Sequence, residues 1–447
     1  MTSKGFSRGR VGTLRRSGDD RHLAAAPGAV SRQEPDFQSA PVSPPGGGRI
    51  SAAEKWLFER LLRRLGNPAI RVVLWDGQQL ATTDAPPVAV VRIGDRSALL
   101  GLLFNPALGF GDAYSQGRIT VEGDLLEFLW AVGGGLWSAA TSNKTLRTRV
   151  AQWLSRLHGN TIGRSRRNVH HHYDITEAFY RLWLDEQLVY TGAYFSDPEL
   201  TLEEAQRAKM DYVCRKLWLR PGEHVVEAGF GWGALARHMA RHYGVRVDAY
   251  NLSHEQVLYA RRRAEAEGLD SLVTFIEDDY RNIAGEFDVF VSVGMLEHVG
   301  RRHYRRLGEV IDRCLKPAGR GLVHSIGRDQ SAAIDPWIQR RIFPGAYPPT
   351  LKEMMDVFQP KGFSVLDVEN LRLHYAKTLE HWLNRYEANE QRVADMFDEP
   401  FVRMWRLYLA GSVVAFASGT LQLFQIVFTR PGANDIPWSR AWLYEKP

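Results

Sequence analysis

The run Val225-Val226-Glu227-Ala228-Gly229-Phe230-Gly231-Trp232-Gly233-Ala234-Leu235 constrains this chain more than any other stretch. Two β-branched residues end on a carboxylate, three glycines follow at alternate positions, and residues 234–243 then carry apolar side chains at helical spacing. The pattern predicts a strand, a tight turn and a helix. Glycine permits positive φ and lets a ligand approach bare backbone, and the N-terminus of the helix offers unpaired N–H groups. A glycine-rich turn alone suits a purely structural loop equally well, so its surroundings decide.

From about residue 168 onward the pattern alternates between strand and helix. Strands are expected at 225–227, 245–251, 273–277, 287–293, 321–326, 363–371 and 421–429, with helical stretches between most of them. That predicts an α/β chain with a doubly wound, mostly parallel seven-stranded sheet, whose ligands bind at the strands' C-terminal ends. A long helical insertion, 375–419, precedes the last strand and is placed to cover a substrate pocket. The loop lacks both the G-x-G-x-x-G spacing of a dinucleotide site and the Gly-Lys-Ser/Thr of a phosphate loop. A carboxylate ahead of three alternate glycines suits a ligand with a cationic amino-acid part and no phosphate, which is the profile of S-adenosylmethionine. The second strand ends at Asn251-Leu252-Ser253 and the third at Asp278-Asp279, near where its ribose and adenine would lie.

The remainder bounds the architecture. A chain of 447 residues exceeds one ordinary domain. Residues 1–48, rich in Arg, Ser, Gly and Pro, read as a disordered tail. Residues 49–155 read as a small N-terminal α+β domain that presents lipid or substrate, opening with a helix over 52–65, then strands at 70–74 and 88–93 and an apolar helix at 125–132. Residues 156–170 form a basic linker that suits anionic headgroups or a solvated surface equally, and 171–447 make the catalytic domain. Two cysteines exclude a disulfide framework and fit a reducing, cytoplasmic setting. The run His170-His171-His172 has no matching carboxylate spacing, so no metal is expected. The apolar stretch 409–428 is broken by glycines and polar residues and reads as buried helix and strand, not a transmembrane span. A net charge of +6 is compatible with nucleic acid or an anionic membrane surface.

Further segments identify a resemblance. His171-His172-Tyr173-Asp174, Leu188-Val189-Tyr190-Thr191-Gly192-Ala193-Tyr194, Glu227 to Gly233, Asn251-Leu252-Ser253-His254-Glu255-Gln256, Gly294-Met295-Leu296-Glu297-His298-Val299-Gly300, His324-Ser325-Ile326-Gly327, Ile342-Phe343-Pro344-Gly345 and Leu373-His374-Tyr375-Ala376-Lys377-Thr378-Leu379 occur in this order. Together, over about 170–430, they resemble the cyclopropane-fatty-acyl-phospholipid synthases and mycolic acid cyclopropane synthases. The resemblance implies a class I methyltransferase (Rossmann-like) fold that adds a one-carbon bridge across a cis double bond of an acyl chain. It implies bicarbonate held by Glu297, His324 and Tyr375, with the backbone at Ile326 and Gly192 beside it. It implies S-adenosylmethionine held by Tyr190, Thr191, Glu227, Gly229, Gly231, Gly233, Asn251, Ser253, Gln256, Asp278 and Asp279. The implied partners are unsaturated phospholipid acyl chains at a membrane surface, met peripherally, and not nucleic acid; a homodimer is left open.

An alkene is a weak nucleophile, so the donor methyl must be held close and in line with it, an orientation effect of about 7–11 kcal/mol. The resulting cation needs aromatic faces, for which Tyr375, Tyr190 and Phe230 are candidates. Three departures from the family bear on the product, the first being Thr176-Glu177 where the family has Gly-Asn after Tyr-Asp. The usual Tyr-Ser-Cys-Ala-Tyr is Tyr190-Thr191-Gly192-Ala193-Tyr194 here, and the usual Gly-Cys-Gly is Gly229-Phe230-Gly231. Methyl or methylene branching of the acyl chain, methylation of a small-molecule amine or hydroxyl, and a silent lipid-binding protein remain alternatives.

Overall fold

The computed structural model of the chain describes residues 48–142 and 176–444. The tail as far as residue 47, the linker 156–170 and the run His170 to Asp174 lie outside the described residues.

Short runs of β-branched residues build a first, four-stranded sheet from β1 (Ile70–Leu74), β2 (Gln79–Ala81), β3 (Ala89–Ile93) and β4 (Ile119–Gly123), in the order β2-β1-β3-β4. β1 and β3 are parallel, and the outer pairs are antiparallel. The helix Ala52–Arg64 before it starts on a reciprocal cap, in which Glu54 N–H donates to Ser51 Oγ and Ser51 N–H donates to the Glu54 carboxylate. The apolar helix after β4 runs over Leu125–Ser142, beyond the expected end at 132. Gly133-Gly134-Gly135 weakens it, but the helix-favouring Leu136 and Ala139-Ala140 follow and carry it on.

The second sheet contains β5 (His224–Ala228), β6 (Arg246–Asn251), β7 (Val273–Glu277), β8 (Phe287–Val293), β9 (Leu315–Gly327), β10 (Ser364–Asn370) and β11 (Gln422–Thr429). Its order is β10-β11-β9-β8-β5-β6-β7, with β11 alone antiparallel to its neighbours. Each strand expected from the sequence is present. Helices Leu202–Lys216, Ala234–Tyr243 and His254–Ala266 cover one face through Val213, Met239 and Val257. Helices Tyr304–Cys314 and Leu351–Phe358 cover the other through Leu307, Ile311 and Val357. Burial on both faces is why β8 and β11 are mostly apolar and buried at nearly every position, without alternation. Full burial of each such side chain contributes about 1.5–3 kcal/mol.

Between β10 and β11 the chain inserts helices Arg372–Ala388, Glu390–Met396 and Glu399–Ala417. Their aromatic residues pack edge-on around Phe179, with Trp405 at 5.0 Å and Tyr386 at 6.4 Å between ring centroids. The Glu399–Ala417 helix also packs against helices Pro106–Ser115 and Leu125–Ser142 of the first sheet's module. One apolar cluster therefore runs from Leu62 and Ile93 through Trp337 and Trp405 to Leu423. Arg341 clamps Asp112 with two bonds of 2.9 Å across the same junction. Among the described residues, no helix is long and apolar enough to cross a membrane.

Candidate active site

The glycine turn after β5 takes the backbone conformation that its sequence demanded. Gly229, Gly231 and Gly233 have φ of 85°, 55° and 79°, in the left-handed region that costs other residues about 1–2 kcal/mol. Glu227 ends β5, Asn251 ends β6, Asp278 and Asp279 follow β7, and Gly294 and Met295 follow β8. These C-terminal strand ends enclose a cavity of about 180 Å³.

Of the residues expected to hold the cofactor, Tyr190, Thr191, Glu227, Gly229, Gly231, Asn251, Gln256, Asp278 and Asp279 line that cavity. Gly233 and Ser253 stand behind its wall. A Cβ on Gly233 would fall 2.8 Å from Ala260 and Phe275, so this glycine serves close packing of turn against helix. Ser253 is buried, and its carbonyl accepts the Val257 N–H at the start of the next helix. Asn251 Nδ2 donates to Gln256 Oε1 at 2.7 Å and to the Gly231 carbonyl at 3.3 Å, which ties β6 to the glycine turn. Asp279 accepts two bonds from the Arg281 guanidinium, at 2.7 and 2.9 Å. Burial raises the Glu227 carboxyl to about 8, opposed by Lys209 and Arg237, and its Oε2 has no hydrogen-bond partner. A cradle of bare glycine backbone with an unpartnered buried carboxylate fits the amino-acid end of S-adenosylmethionine.

A second cavity, about 380 Å³, adjoins the first and shares Tyr190, Thr191, Gly294, His298 and Phe343 with it. Its walls are mostly apolar, with Leu379, Tyr408, Val414, Phe416 and Leu423 from the insertion and β11, and Leu129 and Val132 from the helix after β4. Glu297, His324, Ile326 and Tyr375 all open onto it. Glu297 Oε1 accepts the Ile326 N–H, while Oε2 is buried without a partner. Gln425 Nε2 donates to His324 Nδ1 at 3.1 Å, so the ring carries its proton on Nε2, also buried without a partner. Burial raises Glu297 to about 7 and holds His324 well below the usual imidazole range. Glu297 is therefore part-protonated near neutral pH, and His324 is a neutral imidazole. That arrangement fits a small anion such as bicarbonate.

Gly192 does not line this cavity. It stands behind Tyr375, and a Cβ there would lie 3.0 Å from Tyr375 Cγ and from Leu423 Cδ2. Phe230 belongs to the cofactor cavity, packed on Phe275 at 4.8 Å, and is absent from the lining of the second cavity. Phe343, Tyr408 and Phe416 line the second cavity and were not singled out as site residues; Phe343 lies in a loop within the family-like segment Ile342-Phe343-Pro344-Gly345, and Tyr408 and Phe416 lie on a helix whose periodicity reads as ordinary core. Gln425 was missed too, although a glutamine inside an otherwise apolar β-strand is a visible signal. Among the described residues there is no group of three or more His, Cys, Asp or Glu that could hold a metal ion.

The family model described as mycolic acid cyclopropane synthetase matches residues 161–426, which include both cavities' strand ends and the insertion. The chain belongs to that family. It is thus a methyltransferase that uses S-adenosylmethionine, of the cyclopropane-fatty-acyl-phospholipid synthase type. A second family model, described as a domain of unknown function (DUF7884), matches 57–136, the first sheet and its helices. A probable fatty acid methyltransferase of Pseudomonas putida is 35% identical over 84% of this chain and 96% of its own length. The cyclopropane-fatty-acyl-phospholipid synthase of Escherichia coli K12 is 34% identical over 79% of this chain and 91% of its own. The crystal structure of mycolic acid cyclopropane synthase CmaA1 with SAH and CTAB superposes with a TM-score of 0.57 at 28% identity, covering 59% of this chain and 98% of that one.

Proposed function

We propose that this family member transfers a one-carbon unit from S-adenosylmethionine to a cis double bond of an unsaturated phospholipid acyl chain and closes a cyclopropane ring. The observation that carries the reading is the apolar cavity that shares Tyr190, Thr191 and Gly294 with the cofactor cavity and is lined by Glu297 and His324, whose Oε2 and Nε2 are buried without partners.

S-adenosylmethionine, when bound, supplies a methyl group on a positively charged sulfur. Tyr190 and Thr191, which border both cavities, confine the acyl double bond beside that methyl and keep water out. Tyr190 is fixed by a 2.8 Å bond between its hydroxyl and that of Tyr408, and by Trp183 and Trp382 at 5.3 and 5.4 Å. The faces of Tyr190, Tyr375 and Phe416 in this dry cavity stabilise the positive charge that methyl addition leaves on the acyl chain, by about 2 kcal/mol or more in a desolvated site. Glu297, His324 and Tyr375 hold bicarbonate, which supplies a small oxygen base that resists methylation. An acyl chain drawn from a bilayer implies peripheral contact with a membrane surface.

The similarity to a probable fatty acid methyltransferase of Pseudomonas putida, and Gly192 in place of the family cysteine, favour one second reading, methyl addition that ends in a branched chain. One experiment separates the two. The purified protein is incubated with S-adenosylmethionine and vesicles of cis-unsaturated phospholipid, and the fatty acids are weighed by mass spectrometry before and after mild hydrogenation. A gain of one CH₂ that resists hydrogenation supports the ring, and a gain that takes up hydrogen supports a methylene branch. No mass gain rejects lipid alkylation.

A further inference from the structure

Lys209 is a charged residue where the helix pattern calls for an apolar one. Leu202, Ala205, Gln206, Lys209, Met210 and Val213 make the buried stripe of the Leu202–Lys216 helix, and Lys209 is only 2% exposed. Its ammonium donates to Thr191 Oγ1 at 2.8 Å, and its side chain lines the cofactor cavity. Gln206, one turn earlier, donates to the Thr191 carbonyl at 2.8 Å and the Val189 carbonyl at 3.3 Å, so the helix fixes this segment in place. Glu227, in the same cavity, has its Oε2 buried and unpartnered. No ion pair within 4.0 Å joins Glu227 to Lys209 or to any other described residue, although the two attract. A buried ammonium and a buried, unpartnered carboxyl left apart are costly unless a ligand completes them.

We propose, on the reading that this cavity takes S-adenosylmethionine, that Lys209 completes recognition of its amino-acid end as a zwitterion by holding the α-carboxylate, alongside the Glu227 carboxyl already placed for the α-ammonium. Lys209 meets the α-carboxylate, directly and through the Thr191 hydroxyl, whose oxygen it occupies so that the O–H points outward as a donor. Glu227 meets the α-ammonium. Burial lowers the Lys209 ammonium to about 8 and raises Glu227 to about 8, so both respond readily to a neighbouring charge. The glycine cradle is then left to shape alone, and charge selectivity lies with one helix residue and one strand residue that face each other across the site.

The test is calorimetric titration of the full chain with three nucleosides: S-adenosylhomocysteine, its analogue lacking the carboxylate, and 5′-methylthioadenosine, which lacks the amino-acid part. Lys209→Met should weaken S-adenosylhomocysteine by about 10- to 100-fold, the range of a charge-assisted hydrogen bond, and leave the other two unchanged. Glu227→Gln should weaken the first two and spare methylthioadenosine. Thr191→Val, which keeps shape and removes the hydroxyl, should reproduce the Lys209→Met pattern at smaller size and serves if the lysine variant does not fold. Equal losses for all three nucleosides, or no loss for any, overturn the zwitterion assignment while the cofactor reading stands. A wild-type protein that binds none of them overturns both.

Discussion

On the proposed function Glu297 is the residue on which the chemistry turns, and its environment makes two measurable demands. Glu297 lines the second cavity and not the cofactor cavity. Glu297→Leu should therefore lower kcat by roughly 10²–10⁴-fold, the usual worth of general-base assistance, with S-adenosylhomocysteine affinity unchanged by calorimetry. The same residue sets a pH dependence. Its folded value, about 7, lies above the unfolded one of 4.5, so the folded state binds more protons between these values, and stability falls as pH rises through that window. Glu297→Gln carries no such charge, and its melting temperature should gain on the wild type from pH 5 to pH 8; parallel curves would show that Glu297 ionises as freely folded as unfolded. Gly192 is the other informative position. Restoring the family cysteine puts a Cβ 3.0 Å from the Tyr375 ring, close enough to displace it by a few tenths of an ångström. Gly192→Cys should lower turnover more than the overpacking cost of about 1–3 kcal/mol lowers stability, as compared in paired activity and urea-unfolding measurements.

Elements set what the acyl chain can be. The helix Leu125–Ser142 lends Leu129 and Val132 to the wall of the second cavity, so a larger side chain there should shorten the chain that fits. Leu129→Trp is expected to raise KM for long acyl chains and spare short ones, read from the product distribution on mixed-length vesicles. This role was invisible in the sequence, which gave the helix only an apolar face. The sheet, by contrast, was legible: seven β-rich runs between helical patterns and a glycine turn after the first of them point to one architecture. Strand ends were legible for the same reason, and with them Glu227, Asn251 and Asp279. Lys209 was hidden, because a lysine on a surface helix reads as solvated until the packing shows that position turned inward. Gly192 was placed beside the reacting anion by resemblance, and the structure puts it outside the cavity lining, against Tyr375.

At the scale of the molecule, the first sheet's module and the catalytic sheet share one apolar cluster through the Glu399–Ala417 helix. Unfolding in urea should accordingly show a single transition by near- and far-ultraviolet circular dichroism; two separated midpoints would mean that the module folds on its own. The seam between the two cavities has its own outcome. Tyr190, Thr191, Gly294, His298 and Phe343 belong to both, so the nucleoside and the lipid rest on common furniture, and neither guest can shift it unnoticed by the other. By linkage, whatever factor an acyl chain applies to the hold on the spent nucleoside, the nucleoside must apply to the hold on the chain. Departure of the two products is then a negotiated event, and the pace of the enzyme is open to control from either door.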